Sequence, residues 1–217
     1  MKLKKIASLA LAGIMAVSML AGCKDGTSQE DPSSSSQVPT TSNAVEYANY
    51  MLSGLEKDVF TFSSSATLND ALKAAAENVN KLTDDDIESM YGNVGGPFDQ
   101  TRDEMTDVYG ELKDKLKSYA IVDNFVAAPG VSGDRITVTL YGLSGKLTEE
   151  EAVKTAVKYF VGTAAPVNTT SYPATYSGYT CDYTASVSAL KVASRQHPDQ
   201  SAWTVAVVVT QSSTVAV

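Results

Sequence analysis

Imidazole, thiol and indole are all scarce in this chain: 217 residues hold one His, two Cys and one Trp. Each shortage removes a chemistry. A zinc site draws on His and Cys; here it would have to lean on carboxylates, and no clustered Asp/Glu spacing supplies them, so no metal is expected. A thiol nucleophile needs a base to form thiolate at neutral pH, and His197 is the lone imidazole. No serine sits in Gly-x-Ser-x-Gly, since Gly142-Leu143-Ser144-Gly145 lacks the spacing. Gly95-Gly96 runs straight into Pro97-Phe98, which is neither a phosphate loop nor a dinucleotide fingerprint, so no cofactor is expected. Positive charge is also short, with 17 Lys and Arg against 25 Asp and Glu, and no basic stripe offsets it. Such a surface repels phosphate backbones, so nucleic acid is not an expected partner.

The basic residues that do exist are unevenly placed. Lys2, Lys4 and Lys5 open the chain, an uncharged, mostly apolar run follows from Ile6, and Leu20-Ala21-Gly22-Cys23 ends it. This is the layout of a secretory signal. The uncharged stretch from Ile6 to Cys23 is at the lower limit for a spanning helix, which needs about 20 residues, so a retained transmembrane anchor is the alternative reading. Leu20-Ala21-Gly22-Cys23 resembles the lipobox of bacterial lipoproteins. The resemblance implies cleavage before Cys23, a diacylglyceryl group on its sulfur and a lipid-anchored protein on the extracytoplasmic face of the cell membrane. Two or more acyl chains make such an anchor stable. Lipidated Cys23 would leave Cys181 without an intramolecular disulfide partner. The remaining chain would carry 14 basic and 25 acidic side chains, net −11, an acidity that keeps an exported protein soluble.

Three segments follow from this reading: a signal peptide over 1–22, a lipidated cysteine with a tether over 23–43, and an α+β domain over 44–217. The tether is Ser-, Thr- and Pro-rich, includes Ser33-Ser34-Ser35-Ser36 and has no apolar period. About 20 such residues span about 25 Å as a coil.

The first half of the body reads as helices. Val45, Ala48, Leu52, Leu55 and Val59 recur at helical spacing behind an Asn43/Glu46 capping box. Leu68, Leu72, Ala75, Val79 and Leu82 repeat the pattern, and a short helix starts at Thr83 with Asp84, Asp85 and Asp86 in its first turn. Asn93 to Pro97 breaks the chain. Thr101 and Glu104 form a further capping box ahead of Met105, Val108, Tyr109, Leu112 and Leu116, with a Glu111–Lys115 pair outside. The second half switches period. Ile121 to Val126 and the alternating Ile136 to Tyr141 predict a hairpin around Pro129 to Asp134, the latter strand half-buried. Thr148 and Glu151 cap a helix that stops at Gly162. Strands from Tyr179 to Ala193 and from Trp203 to Thr210 close the chain, the last apolar on both faces and so central. The expectation is an α+β fold: N-terminal helices, then an antiparallel sheet in hairpin-helix-hairpin order packed on helices.

Few residues nominate themselves for chemistry. Cys181 reads as a small buried thiol. His197-Pro198-Asp199 reads as a hairpin turn. Asp84 to Glu88 fails as a calcium loop, because positions six and twelve from Asp84 are Ser89 and Gly95. Tyr172, Tyr176 and Tyr179, spaced by Ser, Thr, Gly and Pro, are the candidate binding residues, since rigid rings with polar tips suit glycans, peptides or proteins. The functional expectation is an extracytoplasmic module that binds a cell-wall, glycan, peptide or protein partner. The alternatives are an envelope hydrolase working with paired carboxylates, which sequence cannot pair in space, and a structural subunit of an envelope complex.

Overall fold

A computed structural model describes residues 43–93, 95–126, 130–164 and 170–216. The signal peptide, Cys23, the tether up to Ser42, Pro129 and Pro166 lie outside the described residues.

The fold is α+β, with a seven-stranded mixed sheet between two layers of helices. Helices α1 (Asn43–Tyr50) and α2 (Gly54–Lys57) lead into the short strand β1 (Phe62–Ser63). Helices α3 (Ala66–Ala76) and α4 (Asp84–Gly92) precede β2 (Phe98–Asp99), and α5 (Asp103–Lys115) precedes β3 (Ala120–Ile121). Strand β4 (Gly133–Ser144) and helix α6 (Glu149–Tyr159) follow, then β5 (Thr175–Tyr176), β6 (Tyr179–Ala193) and β7 (Ser201–Val215). The sheet order is β1-β6-β7-β4-β2, with β3 also on β4 and β5 also on β6.

The long strand β7 sits between β6 and β4, antiparallel to both. From Ala202 to Val209 it is buried on both faces and apolar at every position but Thr204, as suits a strand covered on both sides. Trp203, Val205, Val207 and Val209 enter one core with Ala48, Val153, Val157 and Phe160. Ala202, Ala206 and Val208 enter the other with Leu72, Met90, Met105 and Leu112. Gly142 on β4 permits one close approach: a Cβ there would collide with the Met90 and Met105 side chains that pack α4 and α5 on the sheet.

Several expectations change. The first helix ends at Tyr50, not beyond Val59. Leu52 turns inward, while Leu55 is 80% exposed. Two local bonds account for the break: the Ser53 N–H donates to Glu56 and starts a new turn, and the Asn49 side chain brackets the Phe62 backbone at 2.9 and 2.8 Å. Thr101 and Glu104 form no capping box, because the Thr101 N–H and hydroxyl both donate to Asp99 and Glu104 accepts from Ser89. Residues 121–126 are not a hairpin arm. Strand β3 is two residues long and runs parallel to β4, as β1 does to β6, so the sheet is mixed rather than purely antiparallel. Strand β4 is buried on both faces, not one. Gly162 does not stop the helix; Phe160–Ala164 continues as a π turn. The Thr148/Glu151 capping box and the Glu111–Lys115 pair at 2.9 Å form as read, and the helix read from Thr83 starts there, closed by a Thr83/Asp86 capping box that was not anticipated.

Candidate functional site

Strand β4 has a gap along its outer edge. β3 pairs with Arg135 and Ile136, and β2 pairs with Tyr141 and Gly142. Residues 137–140 between them face no strand on that side, and a cleft of about 530 Å³ opens there. This falls within the ~300–1,000 Å³ of small-ligand sites.

Three hydrogen bonds show which backbone groups face the gap. The Ile136 carbonyl accepts from Val122 N–H at 2.8 Å, the Val138 carbonyl from the Tyr109 hydroxyl at 3.2 Å, and Leu140 N–H donates to Gln100 at 3.4 Å. Even-numbered residues of β4 thus turn their backbone outward. Tyr109 and Gln100 stand in for a missing strand at two of these groups. By the same alternation the Val138 N–H turns toward the cleft, which Val138 lines.

The walls are pinned to the sheet from below. Buried Arg135 donates through Nε to Gln211 at 3.0 Å and through Nη2 to the Phe125 carbonyl at 3.4 Å. Gln211 donates to the Tyr183 hydroxyl at 2.8 Å, which donates to the Pro173 carbonyl at 3.0 Å. The rings of Phe125, Tyr172 and Tyr183 pack mutually at 5.2–5.9 Å between centroids. Arg135, Gln211 and Tyr183 form one cross-strand row, so the sheet register itself holds both walls.

Asp123 is the one acidic side chain lining the cleft among the described residues. Burial pushes the Tyr109 phenol up, and the Asp123 carboxylate adds to the effect. Thr137, Thr139, Asn124 and Ser171 supply neutral polar groups, and Phe125, Phe160 and Tyr172 are its aromatic residues.

The three candidate tyrosines separate into two roles. Tyr172 is 4% exposed, its phenol pushed above the usual range by burial, and its ring belongs to the aromatic core while bordering the cleft. Tyr176 and Tyr179 face each other across a two-residue turn, Ser177-Gly178, in which both residues have positive φ. That is the backbone of a tight β-hairpin. The Tyr176 hydroxyl donates to the Val126 carbonyl, which ties this hairpin to the cleft wall. The Ser-Gly pair was the available sequence signal for this turn.

Cys181 is buried with its sulfur 3.6 Å from the Ser213 hydroxyl. His197 lies past the other end of β6, at least ~40 Å along an extended strand, so the two form no dyad. Instead, His197 Nε2 is 3.6 Å from Glu88 in the β6–β7 turn. The same turn binds Asp84, which accepts the Arg195 N–H at 2.6 Å and faces its guanidinium at 3.3 Å. Chiefly that N–H holds the Asp84 carboxyl below its ordinary range, against the opposing effect of burial. Asp84 and Glu88 thus anchor a turn, and no group of three or more His, Cys, Asp or Glu is disposed to hold a metal among the described residues.

No sequence signal marked Gln100, Asp123 or Thr137–Thr139, because the gap exists only once β2 and β3 have paired. Comparison with protein-family models, curated proteins and solved structures finds no match.

Proposed function

We propose that this chain is a lipid-anchored lipoprotein of a bacterial cell envelope, whose body works outside the cytoplasm as a ligand- or partner-binding module. The observation that carries the anchor is Leu20-Ala21-Gly22-Cys23 behind a Lys-rich start and an apolar run. No described helix is long and apolar enough to cross a membrane. The cleft beside β4 supports a binding role for the body. It is lined by the outer edge of β4, by the aromatic residues Phe125, Phe160 and Tyr172 and, among the described residues, by one carboxylate, Asp123. A paired-carboxylate hydrolase would call for a second acid near it.

Growth with radioactive palmitate tests the anchor. The wild-type chain is expected to be labelled and to sediment with membranes. Cys23→Ala is expected to lose the label and to accumulate unprocessed or released. Equal labelling of both overturns the reading.

A further inference from the structure

We propose that the cleft receives a short extended peptide segment bearing a basic side chain, laid along Thr137–Leu140 of β4. This rests on the binding-module reading and names the ligand class of the same site.

Four observations carry it. The open stretch of β4 is about 13 Å long at ~3.3 Å per residue, and β2 and β3 already pair with β4 at its two ends. An extended segment between them lies along the exposed edge of the same strand, the kind of edge along which peptides dock. The Val138 N–H turns toward the cleft, as the outward Val138 carbonyl and Leu140 N–H show, and a peptide carbonyl laid there can accept it. Tyr109 and Gln100 already hold the Val138 carbonyl and the Leu140 N–H. The peptide therefore gains one main-chain bond, and its side chains must do the rest. Charge decides their sign: Asp123 is exposed, no Lys, Arg or His lines the cleft among the described residues, and an acidic ligand would meet only repulsion. A glycan is less suited. Sugars stack on open ring faces, whereas Phe125, Phe160 and Tyr172 are only 2–4% exposed.

The test uses the full-length lipoprotein in a polyoxyethylene detergent. The probes are an N-acetylated, amidated Lys-Ala-Lys-Ala peptide, its Glu-Ala-Glu-Ala counterpart and chitotetraose. Binding is read by calorimetry, and amide hydrogen exchange locates it. The Lys peptide is expected to bind saturably and to slow exchange at Val138, more weakly as salt is raised. Asp123→Asn should weaken it about 2- to 5-fold, the range of an exposed ion pair. Thr137→Arg, a change at a half-exposed position, should abolish it by filling the cleft and reversing its charge. Equal binding of the Glu peptide, or Lys-peptide binding that leaves Val138 exchange unchanged, overturns the proposal. Protection of Val138 by chitotetraose but by neither peptide overturns the peptide assignment and leaves the binding-module reading standing. Protection by none of the three overturns the assignment and counts against the cleft as the module's site.

Discussion

Asp84 spends its charge on a turn. Its carboxylate accepts the Arg195 N–H, which a neutral acid would do less well, and its pKa is lowered for that reason first. The unfolded reference lies near ~3.9. A carboxyl depressed in the folded state stabilises fully above that value, and the gain fades as pH falls through the folded one. Asp84→Ala is therefore expected to lower the melting temperature at neutral pH, and its deficit to shrink as pH falls below the unfolded reference and through the folded value. Calorimetry across this range checks it, and a deficit that stays constant with pH would show that charge plays no part. The same residue illustrates what a residue type leaves open. Asp84, Asp85 and Asp86 look alike in sequence, yet only Asp84 is buried, because only it faces the β6–β7 turn.

At the scale of elements, two capping boxes with the same spelling behave differently. Thr148 accepts the Glu151 N–H at 3.2 Å while Glu151 accepts the Thr148 N–H at 2.9 Å, so helix α6 starts where the motif says. Thr101 sits beside Asp99 at the end of β2, and this nearer acceptor takes its hydroxyl first. Thr148→Ala is expected to cost about 1 kcal/mol, read from the urea midpoint at constant slope. Thr101→Ala should stay within about 0.5 kcal/mol, as exposed substitutions away from caps do. Equal losses at the two sites would mean that the local bonds do not set these helix starts. Strand β4 carries a similar lesson. Its alternation of Thr with Ile, Val and Leu reads as one wet face, but Thr137 and Thr139 turn toward the loops over that face and Thr139 is buried.

The whole molecule is two apolar layers that share one sheet. Leu112 lies in the α3–α4–α5 layer, and Trp203, the single Trp, lies in the other. Strand β7 belongs to both, through alternate side chains. Loss of one layer should therefore strip support from the other. Leu112→Ala is expected to cost about 2–5 kcal/mol and to shift the unfolding transitions by Trp fluorescence and by far-ultraviolet dichroism together. A shift in dichroism with Trp fluorescence unmoved would show that the layers unfold separately.

Periodicity and caps were enough to read the α+β class, the long strands β6 and β7, the central place of β7 and the starts of α4 and α6. These features depend on neighbours a few residues apart, or on a strand wet on neither side, and both are written locally. The lipobox is local as well, which is why the proposed anchor rests on sequence alone. The parallel two-residue strands β1 and β3 and the burial of Tyr172 were not legible, because each depends on partners far away in the chain. The candidate cleft belongs to this second group. Its floor, its pinned walls and its outward Val138 N–H come from segments near residues 100, 109, 123, 138 and 172. They meet only because β2 and β3 pair with opposite ends of one strand, and long-range pairing of that kind leaves no mark in local sequence.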